Sequence, residues 1–111
     1  MHKSVSALAA LIMLGLAAAH AEPASYKIDD DHTYATFAID HYGASINRAR
    51  FDEVSGTMSF DKAARTGAVD ITVQVRSVYS GSKGFDEHLL TPDLFNAAAY
   101  PTLRFVSERL V

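Results

Sequence analysis

A strict alternation of apolar and polar residues is the feature that most constrains the fold of this chain. Residues 69–76 read VDITVQVR, with an apolar residue at every odd position and a polar residue at every even position. Residues 54–60 and 37–40 repeat this pattern. Successive side chains of a β-strand point to opposite faces, so a period of two predicts strands with one apolar face and one solvated face.

Short polar segments that contain glycine separate these strands, at residues 42–45, 61–67 and 80–84. Glycine accepts the positive φ angles of tight turns, and connections this short join antiparallel neighbours. The pattern predicts a mainly all-β domain of four or five antiparallel strands, with one short helix between Phe85 and Tyr100. Gly56 lies inside its strand and predicts a bulge or a bend there. The three aspartates at 29–31 predict a solvated turn between the first two strands.

The segment at residues 85–105 predicts where that helix lies. Pro92 can begin a helix without losing a useful N–H, and Pro101 prevents a helix from continuing past Tyr100. Residues 93–99 between them include three alanines and favour a helical turn. The segment then changes to strand chemistry, with two apolar side chains predicted on one face, Leu103 and Phe105.

Residues 1–21 predict a secretory signal peptide helix that is not part of the folded domain. Lys3 supplies a positive start, residues 5–19 form an apolar run, and Ala19 and Ala21 provide the small residues of a cleavage site. The apolar run is too short to span a bilayer comfortably. We therefore expect an exported domain of residues 22–111 with no stable membrane span after cleavage. The alternative is an uncleaved N-terminal anchor.

Charge and cysteine content exclude several classes of function. The whole chain carries 10 Lys and Arg against 13 Asp and Glu, and removal of Lys3 changes its net charge from −3 to −4. A mildly acidic chain without a basic run argues against nucleic acid as a partner and against adhesion to anionic head groups. The chain has no cysteine, which excludes disulfides, a cysteine nucleophile and a cysteine-based zinc site. Neither a GxSxG elbow nor a glycine-rich phosphate loop is present, so we expect no enzyme activity and no cofactor.

A series of short motifs follows one another along the chain in a characteristic order. They are YKID at 26–29, HT at 32–33, FAIDHYG at 37–43, GTMSFD at 56–61, DEHL at 86–89, DLFN at 93–96 and YPTLRF at 100–105. With these motifs in this order, the sequence resembles the YceI-like family of lipocalin-like, periplasmic lipid-binding proteins.

The resemblance implies a lipocalin-like antiparallel β-barrel in the periplasm that binds a long-chain isoprenoid or fatty-acyl lipid without catalysis. The sequence departs from the family pattern at three positions. Phe85 and Leu90 stand where the family usually has arginines around the acid–His–Leu motif, and Ala49 stands where it commonly has glycine. The two arginine replacements remove an anionic head-group contact and make that end of the cavity more apolar.

Alternating apolar side chains from the predicted strands are candidates to line a cavity. The residues alone favour a solid core that these side chains fill, whereas the resemblance favours a cavity. Met58, Val69, Ile71, Val73 and Phe105 belong to this apolar set. The predicted ligand-binding residues are Phe37, Ile39, His41, Phe51, Phe60, Asp86, His88, Leu89 and Phe95.

Three histidines of the mature chain offer an alternative function. His41 shares the strand phase of Phe37 and predicts an inward, buried imidazole that needs a partner. Asp86 and His88 are predicted to orient a polar head group at the cavity mouth. Alternatively, His88 locks the turn before the helix through a structural hydrogen bond. No HExxH or i,i+4 histidine pair exists, so no metal site is predicted. The alternative is a metal- or stress-related periplasmic protein that uses its histidines.

The length of the chain limits the predicted barrel. About eight strands are needed to close a barrel that holds a ligand, and about five are predicted here. Open sheet edges invite pairing with another chain. We therefore expect an incomplete barrel from a fragment of a longer reading frame, or a half-barrel that completes itself as a homodimer through its open edges. A third alternative is a fragment without a function of its own.

Overall fold

The computed structural model describes residues 24–109, which form mainly β-structure. This part of the chain contains seven strands, one 3₁₀ turn and one α-helix. In chain order they are β1 (Ala24–Lys27), β2 (Ala35–His41), β3 (Ser45–Phe51), β4 (Val54–Asp61), β5 (Thr66–Gln74), the 3₁₀ turn (Val75–Ser77), β6 (Val78–Tyr79), α1 (Lys83–Leu89) and β7 (Thr102–Ser107).

The strands of residues 24–109 form two antiparallel sheets. One has four strands in the order β1-β4-β5-β7, and the other has three in the order β2-β3-β6. We call them the four-stranded and the three-stranded sheet. Neither closes into a barrel, so the predicted fold class, an incomplete antiparallel barrel, is confirmed.

The structure has more strands than the sequence predicts, because β3 and β6 carry no period-two signal. In β3 the apolar Ile46 lies on the outer side while the polar Asn47 lies on the inner side, as their partners in β2 show. β6 has only two residues, and two residues cannot display a period. Pairing with the adjacent strands, and not a period of two in their own residues, makes these two segments strands.

The two sheets join at a corner where β3 passes into β4. Asp52 N donates to Ser77 O at 3.1 Å and Gln74 N donates to Glu53 O at 3.0 Å. Glu53 N donates to Ser77 Oγ at 2.9 Å. These bonds tie the connection between the sheets to the 3₁₀ turn, so both sheets supply side chains to one core. The buried core residues are Ala49, Phe51, Val54, Val73, Val75, Val78, Leu89 and Ala97.

Helix α1 lies earlier in the chain than the sequence predicts. It begins after Ser82, whose Oγ accepts a hydrogen bond from Phe85 N at 3.3 Å, as an N-cap does. The acid–His–Leu motif at residues 86–89 therefore lies within the helix and not before it. The predicted helix at Pro92 is wrong: residues 91–100 form turns, and Asn96 has φ 50°, a left-handed conformation that a helix cannot continue through.

Gly56 allows β4 and β5 to approach each other closely, and no bulge forms there. The pairing of β4 with β5 runs without interruption past Gly56, which lies opposite Ile71. A Cβ at Gly56 would lie 2.1 Å from Asp70 O. The predicted solvated turn at residues 29–31 is confirmed, since Asp29 Oδ1 accepts from Asp31 N at 3.1 Å in an exposed loop.

The predicted signal peptide and its cleavage residues Ala19 and Ala21 lie outside the described residues. Within residues 24–109, no helix is both long and apolar enough to cross a membrane.

A candidate apolar ligand site between the sheets

One face of the four-stranded sheet is apolar and the other is polar. The strand pairing places nine apolar side chains on the same side as the core, which we call the inner face. Ser55, Thr57, Asp70, Thr72 and Arg104 lie on the opposite, outer face. The alternation predicted from the sequence is therefore confirmed for this sheet. The inner-face set is Tyr26, Val54, Met58, Phe60, Val69, Ile71, Val73, Leu103 and Phe105.

Burial on this inner face decreases away from the corner, both along β4 and toward the edge strand β7. Val54, next to the corner where the sheets join, is 2% exposed, whereas Met58 and Phe60 farther along the same strand are both 39% exposed. On β7, Phe105 is 62% exposed. The apolar surface thus begins inside the core and continues into open space, where no residue of the described chain covers it fully. Apolar area left in this way favours contact with an apolar partner.

At the corner, the inner face meets a cluster of three aromatic rings that pack into the same core as Val54. The centroid of the Phe37 ring lies 5.2 Å from that of Phe51 and 5.3 Å from that of Phe95, and Phe51 and Phe95 are 5.3 Å apart. The two contacts of Phe95 are close to edge-on, the geometry that aromatic quadrupoles favour. Three of the predicted ligand-binding residues therefore contact one another in the core beside the inner face, and we call Phe37, Phe51 and Phe95 the aromatic floor.

A small cavity lies beside this floor. It has a volume of about 310 Å³ and is lined by Ile39, Leu89, Asp93, Leu94 and Phe95. Leu89 is fully buried, so it supports the cavity wall from the core. The sequence brought Ile39, Leu89 and Phe95 together correctly as apolar neighbours, although Leu94 was not among the predicted ligand-binding residues.

The polar residues predicted at the cavity mouth have different surroundings. Asp86 Oδ1 accepts a hydrogen bond from Ser80 N at 2.8 Å, which fixes the segment that leads into α1. The side chain of His88 forms no hydrogen bond to another described residue; its carbonyl oxygen accepts from Thr91 Oγ1 at 2.7 Å. The predicted hydrogen bond from His88 to the turn before the helix is therefore wrong for the described residues, because the side chain of Asp86 fixes that segment.

His41 differs from its prediction. It pairs with Ser45 and shares the face of Phe37 and Ile39, as predicted, but it is exposed. Its ring centroid lies 4.9 Å from that of Tyr42. The prediction of a buried imidazole is wrong because the β2–β3 hairpin extends beyond the core at this end.

Carboxylates and histidines are dispersed over the described chain. Asp29 and His32 form a pair at 2.9 Å on an exposed loop. Among residues 24–109, no group of three or more His, Asp or Glu side chains could hold a metal ion.

Sequence reasoning missed two inner-face residues, Tyr26 and Leu103, as candidate contacts for a ligand. Tyr26 lies opposite Met58 and Leu103 lies opposite Val73, and both are at least 40% exposed. The phase of β7 could have identified Leu103, because it shares a face with Phe105. The position of Tyr26 depends on the pairing of β1 with β4, which no local pattern reveals.

Comparison with known proteins places this geometry in a family. A domain described as YceI-like matches residues 26–111. A UPF0312 protein of Shewanella denitrificans is 35% identical over 109 residues, which cover 96% of this chain and 56% of that protein. Protein YceI of Escherichia coli O157:H7 is 35% identical over 97 residues, which cover 85% of this chain and 51% of that protein.

A solved structure supports the same relationship. The crystal structure of BcnA from Burkholderia cenocepacia is similar with a TM-score of 0.61 at 26% identity, over 68% of this chain and 48% of BcnA. The chain therefore spans about half the length of the curated relatives that it matches.

Proposed function

The chain belongs to the YceI-like family, and on that premise we propose that it binds a long-chain apolar lipid in the space between its two sheets. One observation supports the proposal above all others. The inner face is almost entirely apolar, yet its burial falls from Val54 at the corner toward Phe60 at the far end of β4 and toward Phe105 on the edge strand β7. A ligand of similar shape, apolar and elongated, would cover that face.

The energetics favour a chain and not a compact ligand. Each buried CH₂ contributes about 0.8 kcal/mol, so affinity rises with the length of the chain that the inner face can cover. The inner face offers few polar groups to select one chain over another. Isoprenoid and fatty-acyl chains both satisfy these requirements, and we expect loose selection for chain length.

We further propose that the protein carries this lipid without catalysis in the periplasm. Support for export comes from the signal-peptide pattern of residues 1–21 and from the family resemblance of the sequence. Carriage fits a site made mainly of apolar side chains, since such side chains offer no acid, base or nucleophile.

The experiment is lipid extraction of the protein purified from a bacterial periplasm, followed by mass spectrometry. We expect a long apolar molecule in a near-stoichiometric amount. Protein that yields no such molecule would contradict the proposal.

Two neighbouring residues of β7 provide a matched pair of variants. Phe105 lies on the inner face and Val106 on the outer face, and both are more than half exposed. A charge at Phe105 opposes burial of an apolar chain, so Phe105→Asp should reduce retained lipid about tenfold, as a loss of about 1.4 kcal/mol does. Val106→Asp should leave retention near that of the wild type. Equal losses in the two variants would show that the inner face is not the binding surface.

A further inference from the structure

A second, larger groove lies on the outer side of the three-stranded sheet. Its volume is about 680 Å³, compared with about 310 Å³ for the cavity beside the aromatic floor. It is lined by Thr36, Phe37, Ala38, Arg48, Ala49, Arg50, Tyr79 and Ser80. We propose that this groove, which we call the outer groove, binds an oxyanion of the phosphate type.

The strand register places the polar groups of the outer groove in two adjacent rows. Thr36 lies opposite Arg50, and Arg50 lies opposite Tyr79, so these three side chains share the outer side of one row. Arg48 lies opposite Ala38 in the neighbouring row. Two guanidinium groups and two hydroxyl groups are thereby presented from three strands to one space.

Arg50 is held in a fixed orientation within the groove. Its Nε lies 2.6 Å from Asp52 Oδ1. Its guanidinium carbon lies 4.5 Å from the centroid of the Tyr34 ring and 5.6 Å from that of Tyr79. Cation–π contacts on two rings restrict the side chain, so an anion that binds there immobilises little additional structure. Since Asp52 balances its charge, Arg50 contributes direction more than net charge.

Arg48 supplies the net positive charge. Within residues 24–109 it forms no ion pair, and it is exposed. The next outward carboxylate on β2, Asp40, accepts a hydrogen bond from Gly43 N at 2.9 Å and so stabilises the β2–β3 turn. A guanidinium beside hydroxyl donors is a geometry that suits phosphate oxygens.

The outer groove is separate from the proposed lipid site. Phe37 and Phe51 extend their rings to the inner side of the three-stranded sheet, whereas Arg48 and Arg50 extend to its outer side. Anion binding therefore does not depend on lipid binding, and each can fail without the other. Two sources could supply the phosphate chemistry, namely a free phosphate and a lipid head group.

The experiment is a titration of the ¹⁵N-labelled protein with inorganic phosphate at constant ionic strength, followed by NMR. We expect saturable shifts at the amides of Arg48, Arg50 and Tyr79. Arg48→Gln should weaken this binding about fivefold, the upper range for an exposed charge pair. Arg76→Gln provides the matched control, because Arg76 is exposed on the 3₁₀ turn and does not line the groove. The Arg76→Gln protein should bind phosphate as tightly as the wild type does.

A second arm distinguishes the two sources of phosphate. Vesicles of phosphatidylglycerol and phosphatidylcholine are compared with vesicles of phosphatidylcholine alone in a flotation assay. Capture by the anionic vesicles that is lost in Arg48→Gln assigns the site to a lipid head group, and saturable phosphate shifts without such capture assign it to a free anion. The proposal is overturned if neither probe binds, or if Arg76→Gln weakens binding as much as Arg48→Gln.

Discussion

The ion pair between Asp70 and Arg104 connects β5 to β7 on the outer face. Arg104 Nε donates to Asp70 Oδ1 at 2.9 Å, and Nη2 donates to Asp70 Oδ2 at 2.7 Å. These two hydrogen bonds from Arg104 hold the pKa of Asp70 below its ordinary value, and the positive charge of Arg104 acts in the same direction. The reciprocal bonds raise the pKa of Arg104.

This pair should make stability depend on pH in the acidic range. A carboxylate with a lowered pKa in the folded state contributes stability above its unfolded pKa, about 3.9 for Asp, and loses it as the pH falls through the folded pKa. Asp70→Asn should therefore reduce the free energy of unfolding at neutral pH, and its difference from the wild type should shrink below about pH 4. Urea unfolding of both proteins at neutral pH and below about pH 4 measures this difference in the free energy of unfolding.

A double-mutant cycle supplies the control for this prediction. Arg104→Gln and the double variant isolate the coupling between Asp70 and Arg104 from other effects of each substitution. The coupling energy should be favourable at neutral pH and absent in acid. A coupling of the same size at both pH values would contradict the role given to the carboxylate.

At the scale of elements, a glycine in β4 and a glycine in α1 differ in the space that surrounds them. Gly56 has φ 148° and its Cα faces the backbone of β5, with Asp70 O 2.1 Å from an added Cβ. Gly84 lies in α1, and an added Cβ meets no atom within 4 Å. The same substitution therefore has opposite consequences at the two positions.

We expect Gly56→Ala to destabilise the domain by about 2–5 kcal/mol, since it combines backbone strain with a clash against β5. Gly84→Ala should instead stabilise it by about 0.5–1 kcal/mol, because alanine restricts the unfolded chain and suits a helix. Chemical denaturation of both variants measures the two changes. A stable Gly56→Ala protein would show that β4 and β5 do not approach closely.

The elements also show what the sequence predicts and what it does not. The alternating residues of β2, β4, β5 and β7 predict their strands and faces correctly, because side-chain phase is a local property. The sequence predicts the helix too late in the chain because Pro92 is a strong start signal, whereas the actual start rests on one hydroxyl, that of Ser82. An isolated helical turn is marginal, so contacts of the whole fold decide which short segment becomes helical.

The candidate site was predictable in its chemistry but not in its geometry. Phe37, Phe51 and Phe95 were identified as apolar contacts, yet their mutual packing depends on three separate elements. The exposure of His41 depends on how far its hairpin extends beyond the core. Such facts depend on the arrangement of distant segments, which the local period of the sequence does not encode.

At the scale of the whole molecule, binding of a ligand to the exposed inner face should stabilise the folded state. A compound that binds only the folded state stabilises it by about 2.7 kcal/mol at 100 times its dissociation constant. We therefore expect farnesol, an isoprenoid alcohol, to raise the melting temperature by several degrees or more.

Two controls accompany this measurement. The short alcohol butanol at the same concentration should give no comparable rise, because it covers little of the inner face. The Phe105→Asp protein should respond to farnesol less than the Val106→Asp protein does. A melting temperature that farnesol leaves unchanged or lowers would contradict a preformed apolar site.

Because burial differs along the inner face, packing restricts side-chain volume strongly at some of its residues and weakly at others. Near Val54 the neighbours are fixed, so side-chain volume is dictated by close packing. Phe105 is 62% exposed on the edge strand β7, so close packing restricts its side-chain volume far less than that of Val54. Substitutions at such exposed inner-face positions can therefore change which ligands the protein accommodates while the packing at the corner is preserved.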